Sequence, residues 1–311
     1  MPLIRYSPTE CRRPGCRSAT CTQPCTDDRT TGMHCPTRTS ALAAALLATV
    51  VLAGALSGTA HAGQTQLPAN PDCHSASHPN PVVLLHGTMD SDRVWDALTP
   101  LLSTNGYCVY SLNYGDGPRT PLLGYGIGPV ARSVDQVAGF IEQVLRRTGA
   151  PQVDLVGHSE GGVIAEYYTK NLGRAAQVHA AIMLAPPTYG TTFNGLVTLA
   201  DHSRAVRETV DAAVGNVICP ACADMTANSA FITALDTGPI AHTGVRYAVL
   251  ATRYDTVVTP AGPVSFIAEP GVTNQYIQDL CPTSKTTHQQ LPRDPIAMHW
   301  VLTQLALAEP G

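Results

Sequence analysis

The chain has 311 residues and a formal net charge of −4 at pH 7, with 19 Lys and Arg against 23 Asp and Glu. No basic run or stripe occurs, so the sequence lacks the electrostatic footprint of a protein that binds nucleic acid. Internal repeats and low-complexity linkers are also absent, and the length suits one large α/β domain after a leader.

The first feature along the chain is an apolar leader. Residues 41–56 form the only long apolar block, a basic residue precedes it, and Ala60 and Ala62 have the small-x-small spacing of a cleavage site. This pattern predicts a leader and secretory signal peptide over residues 1–62, and hence an extracellular protein. A transmembrane anchor is the alternative, but the block is short for a span and no stop-transfer charges follow it. Met33 is a candidate for the true start, because it would give the signal an ordinary length.

Apolar patterns then predict strands and helices in alternation. Short apolar runs bounded by turn residues predict strands at 81–87, 107–115, 152–157, 178–185, 244–251 and 274–280. Helical spacing, with Gly, Asp or Pro near the ends, predicts helices at 93–106, 130–148, 162–172 and 294–307. Because the strands are apolar on both faces, we expect an α/β fold with a mostly parallel, doubly wound sheet.

Residues 187–243 interrupt this alternation. They contain short helical pieces, several Gly and Pro residues, and a Cys-Pro-Ala-Cys sequence. An insertion of this length before the next strand is expected over the carboxyl end of the sheet, where doubly wound folds place their sites. We therefore predict one α/β domain over 63–311, with a small cap or lid insertion at about 187–243.

The sequence Gly-His-Ser-Glu-Gly, residues 157–161, lies between the third strand and a helix. A serine hydroxyl is almost never ionised at neutral pH, so a nucleophilic serine needs a base, an orienter for that base and donors for the oxyanion. A Gly-x-Ser-x-Gly pentad puts its serine on a strained strand-to-helix turn, and the glycines permit close packing. The context makes Ser159 the candidate nucleophile, and an ordinary glycine-rich turn is the alternative.

The acid of such a site is expected after the serine, at the end of a later strand. Asp255 lies just past the fifth predicted strand and fits this order. Asp224 and Asp236 are alternatives, but both lie in the predicted cap, where a helix-cap or turn role is the better interpretation.

The histidine is expected later still, on a loop before the last helix. His288 meets this condition. His299 lies inside the last predicted helix, and His242 precedes Asp255 and breaks the order. The predicted catalytic triad is therefore Ser159, Asp255 and His288.

The oxyanion hole requires two backbone N–H groups. One is expected from Glu160, the residue after the nucleophile, and the other from the loop after the first strand, at Thr88. The Thr88 hydroxyl is a candidate for a third donor.

Seven segments, taken in order, resemble one enzyme family. They are NPVVLLHGT, GYCVYSLNYG, VDLVGHSEGG, APPTYGTT, CPAC, ATRYDTVVTP and LCPTSKTTH. Together they resemble secreted bacterial triacylglycerol lipases and esterases of the class 2 lipase type and, more distantly, the yeast lipase B family, from about Asp72 to Leu305. The resemblance implies the α/β-hydrolase fold, hydrolysis of carboxylic esters without a metal or cofactor, and the same triad and oxyanion donors.

The resemblance also bears on the cysteines after the predicted cleavage site. It implies a disulfide between Cys73 and Cys108, and a second one between Cys281 and either Cys219 or Cys222. An odd thiol is then left free or paired outside the chain. A redox role for the CxxC pair is the minor alternative.

Glu160 departs from the family pattern, which usually has Gln after the nucleophile. Only its backbone N–H is needed for the oxyanion hole, but a carboxylate roughly 6 Å from the oxyanion would repel it by about 3 kcal/mol at an effective dielectric near 20. Glu160 could pair with a base, with Lys170, Arg174 and Arg253 as candidates. It could instead be protonated by burial, or turn away to bond Thr88 or a backbone group. We expect it to be satisfied and mainly structural.

The leading functional hypothesis is hydrolysis of a small-molecule or lipid ester through an acyl-enzyme, by a monomer that needs no cofactor or metal. Contact with a lipid interface is left open. Acyl transfer on the same triad and a non-catalytic binding protein are the alternatives. Candidate acyl-groove side chains, with ordinary cap packing as an equal alternative, are Phe193, Leu196, Val217, Phe231 and Ile232.

Overall fold

Six parallel strands form the centre of the protein in a computed structural model that describes residues 73–117, 119–193 and 219–308. The strands are β1 (Val82–Leu85), β2 (Val109–Ser111), β3 (Val153–His158), β4 (Val178–Leu184), β5 (Arg246–Ala251) and β6 (Thr273–Tyr276). Their order across the sheet is β2-β1-β3-β4-β5-β6, and every neighbouring pair is parallel. The predicted parallel α/β architecture is confirmed.

Helices connect the strands and cover both faces of the sheet. In the described residues the α-helices are α1 (Leu98–Thr104), α2 (Thr120–Leu123), α3 (Val130–Thr148), α4 (Glu160–Lys170), α5 (Pro220–Asp224), α6 (Ala230–Asp236), α7 (Ile277–Leu280) and α8 (Pro295–Ala308). Short 3-10 helices occupy Asp92–Trp95, Ala175–Gln177 and His288–Arg293. Helix α4 packs on β1, β3, β4 and α3, whereas α8 packs on β4 and β5.

Alternate side chains of each strand enter two separate cores. In β1, Val83 and Leu85 belong to the apolar cluster that includes α3 and α4, whereas Val82 and Leu84 belong to the cluster that includes α1 and α8. All four side chains are fully buried. Burial on both faces explains why the strands have continuous apolar sequences rather than alternating ones.

The predicted strand at 274–280 is a strand only in its first half. β6 ends at Tyr276, whose backbone N–H donates to the Asp279 carboxylate at 2.9 Å, and the chain then turns into α7. The acid forms half of a capping box, so it starts a helix where the apolar pattern alone suggested a longer strand.

The disulfides agree only in part with the expectation. Cys73 and Cys108 are bonded, which ties the segment before β1 to the chain entering β2. The expected bond of Cys281 to Cys219 or Cys222 is wrong, because Cys219 and Cys222 are bonded to each other. The first turn of α5 brings their Cα atoms to 5.3 Å, a distance at which a disulfide forms locally. Cys281 is also disulfide-bonded, but to neither of these two residues.

Residues 219–243, the longer of the two described parts of the predicted cap, pack on α3 and α4. The Asp224 carboxylate accepts a hydrogen bond from the Val130 backbone N–H at the start of α3, at 2.9 Å. The Lys170 ammonium, at the end of α4, donates to the backbone carbonyl oxygen of Leu235 in α6. Each of these two hydrogen bonds gives a partner to a polar group at a helix terminus. Together they attach the cap segment to the two helices nearest the predicted site.

The predicted leader and signal peptide, including Met33, and residues 194–218 of the predicted cap lie outside the described residues. Within the described ranges, no helix combines the length and the apolar character that a membrane span requires.

Glu166 is a fully buried acid on α4. The Thr188 hydroxyl donates to Glu166 Oε1 at 2.6 Å, while Oε2 has no hydrogen-bond partner among the described residues. Burial raises the pKa of Glu166 from 4.5 to about 8, and the Thr188 hydrogen bond and the Lys170 charge oppose this rise. The folded protein therefore holds a neutral acid here at neutral pH.

We predict that Glu166→Gln weakens the pH dependence of stability. The unfolded chain loses this proton near pH 4.5, but the folded chain keeps it until about pH 8. The free energy of unfolding therefore falls as pH rises between these values. Gln, which has no proton to lose, should remove on the order of 2–4 kcal/mol of that fall, measured by urea unfolding at pH 4.5 and pH 8. Asp135→Asn, at an exposed position of α3, is the control and should leave the slope unchanged.

Candidate active site

Ser159 lies on the turn between β3 and α4, in a backbone conformation that residues other than glycine rarely adopt. Its φ is 52° and its ψ is −119°, so the turn is strained. Backbone hydrogen bonds hold the turn: the Ser159 N–H donates to the Leu184 carbonyl oxygen at 2.9 Å, and the Ser159 carbonyl oxygen accepts from the N–H groups of Gly162 at 2.9 Å and Val163 at 3.4 Å. Ser159 thereby lines a cavity at the carboxyl end of the sheet.

Gly157 and Gly161 let α4 approach β1 and β3 more closely than any side chain would permit. A Cβ atom at Gly161 would overlap the Leu85 carbonyl oxygen, and one at Gly157 would overlap the Gly161 backbone. A Cβ at Gly162 would lie 2.7 Å from the Cβ of Pro186. The glycines of the pentad are therefore required by packing around the turn.

Asp255 and His288, both buried, are directly hydrogen-bonded. His288 Nδ1 lies 2.7 Å from Asp255 Oδ2. Asp255 Oδ1 accepts two backbone N–H bonds, from Val257 at 2.9 Å and from Val258 at 2.8 Å. Because a carboxylate can only accept, Nδ1 of His288 carries the proton and Nε2 is left as the basic nitrogen.

Thr252 and Gln278 join the loop of Asp255 to the loop of His288. The Thr252 hydroxyl donates to the Thr286 carbonyl oxygen at 2.6 Å, and the Gln278 amide donates to Thr252 Oγ1 at 3.0 Å. Sequence analysis did not identify these two residues. Their role depends on three segments meeting in space, and no local motif signals that meeting.

His158, the residue before the serine, contacts the backbone of His288. Its Nε2 lies 3.1 Å from the His288 carbonyl oxygen, and a carbonyl only accepts, so this nitrogen carries the proton. Burial, with the nearby His288 as a smaller cause, lowers the pKa of His158 well below 6.5. His158 is therefore a neutral anchor for the His288 loop. The pentad contained it, but nothing in the sequence indicated its partner.

Thr88 and Glu160 have backbone N–H groups that donate no hydrogen bond to other described residues. Thr88 follows β1, and Glu160 begins α4, where the first N–H groups of a helix have no intrahelical partner. Tyr114 holds the loop before Thr88, because its hydroxyl donates to the His86 carbonyl oxygen and its ring stacks on the His86 ring at 4.1 Å. Two free donors thus flank Ser159 from different segments.

The Glu160 side chain is fully buried beneath the loop of Thr88. The Thr88 hydroxyl oxygen lies within hydrogen-bond distance of Glu160 Oε2, at 2.8 Å. Burial raises the pKa of Glu160 from 4.5 to about 8, while the contact with Thr88 and the nearby Ser133 hydroxyl oppose the rise and the Asp224 charge adds to it. Of the expected outcomes, pairing with Lys170, Arg174 or Arg253 is not seen, whereas contact with Thr88 and burial both are.

The cavity that holds Ser159 and His288 has a volume of about 380 Å³. Its wall is largely apolar, with Met89, Pro187, Phe193, Met225, Val257 and Val258. Phe193, a predicted groove residue, is among these. Phe231 stacks on the Tyr167 ring instead, and Ile232 is buried in α6. Leu196 and Val217 lie outside the described residues.

The alternative acids and bases lie elsewhere. Asp224 caps α3, Asp236 ends α6 on the surface, and the His299 ring contacts the Pro295 carbonyl oxygen on the exposed side of α8. His242 lies before β5, and it does not line the cavity of Ser159. The described residues contain no cluster of His, Cys, Asp and Glu suited to a metal ion.

Comparison with protein families gives one match over most of the chain. The family described as Lipase (class 2) matches residues 79–301. This range contains the whole described sheet and every candidate site residue.

Curated relatives match over shorter stretches. A triacylglycerol lipase of Burkholderia plantarii is 30% identical over 155 residues, which cover 48% of this chain and 38% of the relative. A triacylglycerol lipase of Pseudarthrobacter phenanthrenivorans is 30% identical over 121 residues, covering 37% of this chain and 34% of the relative. The matched part thus spans less than two-fifths of the length of either relative.

Solved structures agree on the fold. Aspergillus fumigatus lipase B superposes with a TM-score of 0.60 at 21% identity, covering 79% of this chain and 56% of that one. The mature form of Bacillus licheniformis lipase BlEst2 gives a TM-score of 0.53 at 14% identity, with 75% and 94% covered. The fold is therefore that of the α/β-hydrolases, as the resemblance implied.

We predict opposite effects for two Gly→Ala changes. Gly161→Ala forces a Cβ into the Leu85 carbonyl oxygen, so it should lower the free energy of unfolding by at least about 2 kcal/mol. Gly139→Ala, in the middle of α3 with open space around it, should raise the free energy of unfolding by about 0.5–1 kcal/mol. Chemical unfolding of both variants checks this; a Gly161→Ala protein as stable as the wild type would contradict the close packing.

Proposed function

Because the chain belongs to the class 2 lipase family, we propose that it is a secreted serine hydrolase that cleaves carboxylic esters. The proposal includes Ser159 as nucleophile, His288 as base and Asp255 as the group that orients the base. It also takes residues 63–311 as the mature domain, with residues 187–243 as its cap.

One observation carries the proposal: the 2.7 Å hydrogen bond that His288 Nδ1 donates to Asp255 lies beside the same cavity that Ser159 lines from its strained turn. A base with a fixed tautomer and a serine on such a turn are two parts of a nucleophilic site. The free N–H groups of Thr88 and Glu160 supply the third part, since a tetrahedral oxyanion needs donors that are in place before it forms.

The reaction then has two halves. The Ser159 oxygen attacks the acyl carbonyl carbon while His288 Nε2 takes the hydroxyl proton, and the carbonyl oxygen becomes an oxyanion facing the two N–H groups. The intermediate collapses, and the leaving alcohol takes the proton from His288. Water repeats the sequence on the acyl-enzyme: His288 removes a water proton, and Ser159 leaves with that proton as the carboxylic acid is released. Asp255 stays ionised and stabilises the imidazolium in both halves.

The substrate class follows from the cavity wall. The largely apolar wall of this cavity accommodates an acyl chain. The curated relatives named triacylglycerol lipases support a lipid ester as the substrate. Met89 at the cavity rim and Leu122 on α2 are exposed apolar side chains, 46% and 80% accessible, and they are candidates for contact with a lipid interface.

Secretion is part of the same proposal. The Cys73–Cys108 and Cys219–Cys222 disulfides suit an oxidising compartment, which agrees with the signal peptide expected from the sequence. N-terminal sequencing of protein recovered from the culture medium tests this, and a mature N-terminus far from residue 63 would contradict it.

We predict that Ser159→Ala abolishes both ester hydrolysis and covalent labelling by a fluorophosphonate. Without the hydroxyl no acyl-enzyme forms, so kcat/KM for p-nitrophenyl esters should fall by at least about 10⁴-fold. Asp255→Asn should lower kcat by roughly 10³- to 10⁴-fold, because His288 loses its orienting partner. Ser103→Ala, on the exposed face of α1, is the control. Labelling that persists in Ser159→Ala would overturn the assignment.

A further inference from the structure

In the proposed mechanism Glu160 contributes only its backbone N–H, yet its side chain also has a defined position. The carboxyl is fully buried, 2.8 Å from the hydroxyl of Thr88, which lines the cavity of Ser159. Gly126 passes directly over it, because a Cβ there would lie 2.7 Å from Glu160 Oε2. A larger residue at position 126 would push the carboxyl away from Thr88.

Among the residues that the structure describes, the groups that face this carboxyl come from four segments, and none is a cation. Thr88 comes from the loop after β1, and Ser133 from α3. Tyr114 comes from the chain after β2, and Asp224 from α5; the ionised form of either would repel a carboxylate here. Glu160 Oε1 has no hydrogen-bond partner within the described part of the chain. An ionised carboxylate at this position would have no opposite charge to offset the cost of burying it, which favours the neutral acid.

We propose that Glu160 is a positioning residue that, as a neutral carboxylic acid, donates its proton to Thr88 Oγ1 and so frees the Thr88 hydroxyl proton for the oxyanion. This inference rests on the proposed ester hydrolysis. A threonine hydroxyl has one proton and can donate one hydrogen bond, while its oxygen can accept. The same 2.8 Å contact can therefore run in either direction, depending on which oxygen carries the proton.

Ionisation of Glu160 reverses the direction of this bond. A carboxylate has only acceptors, so Thr88 must donate to it and has no proton left for the substrate. The negative charge then also opposes the developing oxyanion. Both effects act in the same sense, so the neutral acid is the active form. Burial raises the pKa of Glu160 to about 8. The neutral form is therefore dominant at neutral pH, and it is lost as the pH rises above about 8.

The first test is the pH profile of kcat/KM from pH 6 to pH 10 with a p-nitrophenyl ester. The wild type should fall at least about tenfold between pH 8 and pH 10 as Glu160 ionises. In Glu160→Gln the amide N–H still donates to Thr88 and cannot ionise. The profile of this variant, normalised to its own maximum, should therefore stay level across that range.

Glu166→Gln is the matched control. Glu166 lies on the same helix, is equally buried and has a pKa also raised to about 8, but it bonds Thr188 rather than the loop of Thr88. This variant should keep the alkaline fall of the wild type. A level wild-type profile to pH 10, or the same fall in Glu160→Gln, would overturn the proposal.

An infrared measurement tests the protonation state without any substrate. The C=O stretch of a buried neutral carboxylic acid should be present at pH 7, weaken by pH 10, and lose a component in Glu160→Gln. Glu166 contributes a second such component to the wild-type spectrum. The same measurement on Glu166→Gln therefore reports on Glu160, and it stands even if Glu160→Gln does not fold. No such component at pH 7 would overturn the proposal. A neutral Glu160 in a protein that cleaves no ester would instead overturn the proposed function and, with it, the role of Thr88.

Discussion

The contact of α4 with β1 and β3 is the constraint on which the rest of the site depends. Gly157 and Gly161 remove the atoms that would keep the helix away from the strands, and the backbone of Ser159 takes up the strain of the turn. The same contact brings the first residue of α4 against the loop after β1. The contact of α4 with β1 and β3 thus sets both the orientation of the Ser159 turn and the position of the two N–H donors relative to Ser159.

The other half of the site is built from hydrogen bonds rather than from close packing. Asp255 is held by two backbone N–H groups and in turn holds His288, and Thr252 joins the two loops. His158 connects this half to the serine turn through the His288 carbonyl oxygen. The histidine is therefore fixed from both sides, which is the preorganisation that the base of the proposed mechanism requires.

The fold was largely predictable because its signals are local. The strands are continuous apolar runs, and α3 has the bounds that its helical spacing predicts. Asp255 and His288 were chosen from where strands end, and the two side chains are in hydrogen-bond contact. The Cys219–Cys222 bond was missed because a helix turn, rather than the distance to Cys281, decides it. The partner of Gln278 was beyond sequence reasoning, since it belongs to a segment that meets Gln278 only in the folded protein. Thr88, by contrast, was among the partners expected for Glu160.

The most direct test of the central claim is a crystal structure of the protein inactivated with a phosphonate ester, whose phosphoryl oxygen stands in for the oxyanion. The account predicts a bond from Ser159 Oγ to phosphorus. It also predicts a phosphoryl oxygen about 2.7–3.1 Å from the backbone nitrogens of Thr88 and Glu160. An adduct on another residue, or a phosphoryl oxygen that points away from both nitrogens, would contradict it.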